Sequence, residues 1–297
     1  MSFDIKTYMD ARKVEVEEAL DRCLPSGETY PESLHKAMRY SVFSGGKRFR
    51  PILCLASSRA AGGEGDGVMP VACAIELIHT YSLIHDDLPC MDDDDLRRGM
   101  PTNHKVFGEA IAVLAGDALL THAIELVVRV AGAELGPERC LRVLEDLTRA
   151  IGVDGMVAGQ VVDMESEGRP VSEETVSYIH SRKTGALITS TARCGAVAAG
   201  ADEAMIARMA AYGEKVGLAF QITDDILDVE GGFGELKSGA GLDSRKEKAT
   251  YPGVYGLERS REIAGELIAG ARDVIAGLGD PGLPLRGLAD LVINRVS

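Results

Sequence analysis

Six of the ten residues from Asp86 to Asp95 are aspartates, and two arginines, Arg97 and Arg98, follow at once. Like charges at that spacing repel. Such a segment must be a solvated loop, take up protons or bind cations. Residues 72–88 are strongly apolar and read as a buried helix, so the carboxylates sit at the end of a core element. Hard oxygen donors favour Mg²⁺, which keeps several waters and bridges one or two carboxylates to a substrate phosphate. Arg97 and Arg98 offer planar forks for phosphate oxygens. The chemistry expected here is a Mg²⁺-bridged phosphate site.

A second cluster repeats the theme. Gln221, Asp224, Asp225 and Asp228 are spaced by three and four residues within the apolar stretch 217–229, so on a helix they share one stripe. Burying them without cations is costly. The two clusters are therefore expected to face each other across one cavity and share metal ions. Asp86 and Asp92 would lie about 240° apart on a straight helix. Pro89 stands between them and removes a helix hydrogen bond. This predicts a kink or loop that brings Asp86 and Asp92 together.

The elements that must position these groups are helices. Helical periodicity runs through 3–22, 31–43, 52–61, 68–88, 103–132, 138–151, 154–165, 172–199, 202–229, 253–278 and 285–295. Gly and Pro punctuate it at 44–46, 62–67, 136–137 and 231–242. Few stretches show the period-two alternation of a strand. The chain reads as one all-α domain over residues 1–297, with long, mostly buried helices, no disordered linker and no solenoid repeat.

Composition narrows the partners. With 45% apolar and 26% charged residues the chain is ordinary for a globular protein. A net charge of −14 argues against nucleic acid as a partner. A small anionic substrate stays possible, because metal ions invert the local field. The six cysteines form no CxxC pair and suggest free thiols in a reducing cytoplasm. No stretch of about 18 uninterrupted apolar residues occurs, so no membrane span is expected. Asp4 and Asp10 argue against a signal peptide.

Taken together, the motifs resemble those of the short-chain trans-prenyl diphosphate synthases, and the bacterial farnesyl diphosphate synthases most of all. The markers are Gly45-Gly46-Lys47-Arg48-Phe49-Arg50-Pro51, a DDxxxxD motif (Asp86, Asp87, Asp92) ending in Arg97-Arg98-Gly99, Lys183-Thr184-Gly185, and Gln221 with a DDxxD motif (Asp224, Asp225, Asp228). The resemblance covers nearly the whole chain. It implies an all-α bundle of long helices around a deep central cavity, and a homodimer. It implies Mg²⁺, three ions with substrate bound, replaceable by Mn²⁺, on Asp86, Asp92, Asp224 and Asp228. Asp87 and Asp225 would assist. The allylic diphosphate would be held by Arg97, Lys183, Thr184, Gln221 and Lys248, and that of isopentenyl diphosphate by Lys47, Arg50, His79 and Arg98. The family pattern also places Gly-Lys in the loop after the second motif. Lys237-Ser238 stands there instead, so Lys237 supplies the charge with a one-residue shift or the contact is missing.

The reaction implied is head-to-tail condensation of isopentenyl diphosphate with dimethylallyl or geranyl diphosphate. In the family, side chains just before the first motif floor the cavity. Tyr81 and Ser82, five and four residues before Asp86, resemble the pattern of farnesyl rather than geranylgeranyl synthases. Tyr81 lies about 7.5 Å along the helix axis from Asp86 and about 140° around it. Two other classes compete. A class I terpene cyclase is disfavoured by zero Trp and 5% aromatics, since migrating cations need aromatic faces. A non-catalytic subunit of a heteromeric synthase would be expected to lack one Asp motif.

Overall fold

The computed structural model describes residues 3–63, 65, 67–231, 249–294 and 296. The chain runs through α1 (Ile5–Cys23), α2 (Glu32–Val42), α3 (Phe49–Ala60) and α4 (Val68–Asp86) into a hairpin, β1 (Leu96–Arg97) and β2 (Met100–Pro101). There follow α5 (Asn103–Phe107), α6 (Glu109–Glu125), a π turn (Leu126–Ala131), α7 (Gly132–Leu135), α8 (Pro137–Ile151), α9 (Met156–Ser166) and α10 (Glu173–Ile179). A second π turn (His180–Gly185) leads into α11 (Ala186–Ala198). The 29-residue α12 (Glu203–Gly231), α13 (Tyr251–Tyr255), α14 (Leu257–Val274) and α15 (Leu283–Ile293) complete the described chain. The all-α reading holds.

Local chemistry sets the ends. Asp4 accepts from Lys6 N at 3.1 Å, Ser172 from Thr175 N at 3.2 Å and Asp202 from Met205 N at 2.8 Å, each satisfying a donor with no partner within its helix. Pro137 opens α8, where its missing N–H costs nothing. α11 lies at the centre, packed against α3, α8 and α12. α4 is apolar over its first two turns and carries Glu76 and His79 further on, with Val71, Ala74, Ile75, Leu77 and Ile78 excluded from solvent. Val176, Ile179, Ile222, Ile226, Tyr251 and Ala264 form a smaller core that ties α10 and α12 to α13 and α14.

Three features depart from the sequence reading. The 172–199 and 103–132 helices each contain a π turn. The hairpin interrupts the expected run of helices: Arg98 (φ +55°) and Gly99 (φ +78°) both take left-handed conformations, which a two-residue turn between antiparallel strands requires. Tyr40 donates to the Pro101 carbonyl at 2.8 Å and Asn103 to that of Ala37 at 2.8 Å, fastening the hairpin to α2. Finally, α4 and the Glu109–Leu135 rod are long and apolar enough to cross a membrane by length and composition. In the bundle, 61% of the apolar window of α4 is buried against 39% for the rod, which leaves Val113, Leu114, Val128 and Val130 exposed.

Candidate active site

At the end of α4 the chain turns back on itself. The Asp92 N–H donates to the Asp86 carbonyl at 2.9 Å, and the N–H groups of Met91 and Asp93 both reach the Leu88 carbonyl, at 2.9 and 3.1 Å. This is the convergence expected around Pro89, made by ending the helix rather than kinking it. Burial pushes the Asp86 carboxyl up to about 6, with Asp92 and Asp87 adding to it and Lys183 and Arg97 opposing.

The clustered aspartates divide by contact. Asp87 is buried and accepts from Arg97 Nε at 2.9 Å, and Asp94 takes a second branch of the same guanidinium at 3.0 Å. Asp95 pairs with Lys105 at 2.7 Å. Asp87 thus works on Arg97, turning its fork into place, while Asp94 and Asp95 fasten the hairpin region.

The opposite wall is α12 with the second π turn. Widening the helix there presents Lys183 and Thr184 together; such turns recur at functional sites. Lys183 Nζ donates to Asp163 Oδ2 on α9 at 2.7 Å. Burial works against its charge, but Asp163 and Asp86 hold it above the ordinary lysine range. Thr184 Oγ1 donates to Gln221 Oε1 at 2.7 Å, and Gln221 Nε2 to Asp225 Oδ1 at 3.1 Å. α9 comes close to this turn because Gly159 has no side chain; a Cβ there would lie 2.3 Å from Lys183 N.

Asp225 lies on the expected stripe beside Gln221, and its other contacts define its part there. Its carboxyl is committed to Gln221, to the Tyr251 N–H at 2.9 Å and to His180 Nε2 at 3.3 Å. Burial pushes it up to about 7. It clamps α13 and the π turn to α12, which leaves Asp224 and Asp228 as the ligand candidates on this wall. Lys237 and Lys248 lie outside the described residues.

A hollow of about 850 Å³ gathers Lys47, Arg50, His79 and Arg98 from three separate stretches, with Arg48, Glu76 and Phe220. Arg50 donates to His79 Nε2 at 3.3 Å. Burial first, then the charges of Arg50 and Arg98, keep His79 neutral, well below the usual histidine range. Arg98 donates to the Gly45 carbonyl. This approach needs a bare backbone: Gly46 has φ +118°, and a Cβ there would lie 2.8 Å from the Arg98 guanidinium. The concentration of donors suits a diphosphate. A second hollow of about 670 Å³, between α8, α11 and α12, is lined by paired arginines such as Arg193 with Asp146 and holds none of these groups.

Asp86, Asp92, Asp224 and Asp228 offer oxygen donors alone, and among the described residues Asp86 has no hydrogen-bonded cation to neutralise it. Among the described residues, no three His, Cys, Asp or Glu side chains gather closely enough to hold an ion by themselves. The oxygen-only donor set is the chemistry that suits Mg²⁺, which completes its shell with water and phosphate.

Residues 31–273 match the sequence profile of the polyprenyl synthetase family. The chain belongs to that family. It is 48% identical over 299 residues to the heterodimeric geranylgeranyl pyrophosphate synthase large subunit 1, chloroplastic, of Arabidopsis thaliana, a match covering 99% of this chain and 80% of the relative. It is 47% identical to the dimethylallyltranstransferase of Fischerella ambigua, covering 99% and 84%. The apo crystal structure of an FPP/GFPP synthase from Zymomonas mobilis superposes with a TM-score of 0.86 at 36% identity, covering 97% and 98% of the two chains. This polyprenyl synthetase is a prenyltransferase that elongates prenyl chains from isopentenyl and allylic diphosphates. Sequence reading missed three of its supporting groups: Asp163, Glu76 and the His180–Tyr251 pair. Asp163 and Glu76 each left a trace, as a lone charge in an apolar run.

Proposed function

We propose that this polyprenyl synthetase condenses isopentenyl diphosphate with dimethylallyl and geranyl diphosphate and stops at farnesyl diphosphate. The observation that carries the reaction is the pairing of two anion sites. One is the Asp86–Asp92 turn beside Lys183; the other is the Lys47–Arg50–His79–Arg98 hollow, whose Arg50 feels the charge of Asp224.

Lys183, Thr184, Gln221 and Arg97 orient the allylic diphosphate. Asp86, Asp92, Asp224 and Asp228 would hold Mg²⁺, which when bound neutralises the leaving diphosphate. Lys47, Arg50, neutral His79 and Arg98 hold isopentenyl diphosphate so that its double bond meets the allylic carbon. A proton is then lost to the departed diphosphate, so the chain needs no side-chain base. The apolar faces of α4 and α6 keep water from the carbocation.

Product length rests on Tyr81. It is buried at 8% exposure and set edge-on to His85, with ring centroids 5.7 Å apart. His85 Nε2 in turn reaches the Val113 carbonyl at 3.0 Å. A second reading, geranylgeranyl diphosphate, is favoured by relatives of 45–48% identity that carry that name. We further propose a homodimer formed on the exposed apolar face of the Glu109–Leu135 rod, and a reducing, cytoplasmic setting that suits six free thiols.

The test is incubation with isopentenyl diphosphate and each allylic starter in Mg²⁺, followed by chromatography of the dephosphorylated products. A C15 alcohol supports the farnesyl reading and a C20 alcohol the second. Product formation without isopentenyl diphosphate, or turnover that persists in EDTA, would overturn the mechanism.

A further inference from the structure

We propose that Glu76 is a positioning residue for the isopentenyl diphosphate subsite, acting through Arg48 to aim Lys47 and Arg50 into the hollow. This rests on the reading of that hollow given above.

The turn before α3 is an uncommon one. Gly45, Gly46 and Arg48 have φ of +102°, +118° and +51°. Glycine adopts such angles freely; arginine does not, and keeps them only where its surroundings hold it there. The hold on Arg48 is its own guanidinium, which is 1% exposed. NH1 donates to Glu76 Oε1 at 2.7 Å, NH2 donates to the Val42 carbonyl at 2.7 Å, and Nε lies 3.5 Å from Glu17. Arg48 is thus spent on protein contacts, and its two neighbours are the ones left for ligand. Lys47 immediately precedes it, and Arg50 sits in the first turn of the helix it begins.

α4 and its C-cap residue, Asp87, use the same device twice. Glu76 and Asp87 are eleven residues apart, so they lie within about 20° of each other on the helix and about 17 Å apart along it. Each is a buried carboxylate that seats one arginine of a neighbouring loop, Arg48 in one case and Arg97 in the other. The Arg98 contact to Gly45 then ties the two loops together.

Removing the Glu76 charge sets two effects against each other. Its carboxylate lies in the hollow and acts on Arg50 and Arg98. If that field were its whole contribution, neutralising it would strengthen diphosphate binding. If it seats Arg48, neutralising it leaves a buried guanidinium with Glu17 as its one remaining carboxylate among the described residues, and the left-handed turn is released. Burial makes the second effect the larger.

The experiment compares Glu76→Gln with wild type by steady-state kinetics, varying each substrate in turn. The KM for isopentenyl diphosphate is expected to rise about tenfold or more, as misplaced binding groups produce, while that for the allylic diphosphate stays within about twofold. The double variant Arg48→Gln/Glu76→Gln, which buries no unpaired charge, is expected to match the single variant and serves in its place if Glu76→Gln does not fold by circular dichroism. A fall or no change in the isopentenyl diphosphate KM, or an equal rise in both KM values, overturns the proposal. Wild type that forms no isopentenyl diphosphate-dependent product would instead overturn the reading on which it rests.

Discussion

The Asp163 carboxylate holds the Lys183 ammonium at 2.7 Å, across the gap between α9 and the second π turn. Lysine side chains are flexible, and this contact fixes which of several positions the charge occupies. Asp163→Asn leaves the shape and removes the charge. It is expected to lower kcat/KM for the allylic diphosphate about tenfold to a hundredfold, with the isopentenyl diphosphate KM nearly unchanged. Steady-state kinetics check this; equal loss for both substrates would count against it.

Gly159→Ala tests the same wall from its backbone. The new Cβ would meet Lys183 N at 2.3 Å, so α9 and the π turn must separate. Overpacking of this kind costs about 1–3 kcal/mol. Urea denaturation should show that loss, accompanied by reduced turnover. Unchanged stability would mean that α9 is free to retreat.

Tyr81→Ala should lengthen the product beyond C15, because it empties the space beneath Asp86. It should also cost about 3 kcal/mol, the usual scale for deleting a buried aromatic. Chromatography of the dephosphorylated products decides the first claim; the same product from both proteins sinks it. Ser82 offers less leverage, since its hydroxyl is spent on the His79 carbonyl at 2.9 Å.

His180 gives a pH dependence of stability. Burial is the main cause that lowers it to about 4, with Asp163 opposing and Lys183 adding. The unfolded chain takes up that proton near 6.5, whereas the folded chain waits until about 4. Between those values the unfolded state binds more protons, so this contribution to stability falls as pH falls from 6.5 to 4. The loss is at most about 3 kcal/mol. His180→Phe, which can still stack on Tyr251, should flatten that part of a plot of Tm against pH. Identical slopes for the two proteins would remove His180 from the account.

Much of this was legible in the sequence, because the signals were periodic or concentrated. Helices such as Glu203–Gly231 announce themselves by apolar spacing, and the two Asp clusters by their density. The rest depended on partners far along the chain. Asp225 shares a stripe with Gln221, but what decides its role is the Tyr251 N–H, 26 residues on. Glu76 reads as an isolated charge in an apolar helix until Arg48 arrives from 28 residues away. The hairpin was hidden because strands of two residues are too short for alternation to show. The π turns were hidden because their residues look helical one by one.

The π turn at His180–Gly185 also makes residue count itself a functional variable. α10 and α11 are each held by their own packing, so neither is free to rotate about its axis. Deleting one residue between them would restore ordinary helical pitch and swing whatever remained of Lys183 and Thr184 by about 100°. A single-codon deletion of Ser181 or Arg182 should therefore silence the enzyme while every side chain given a role above is still encoded.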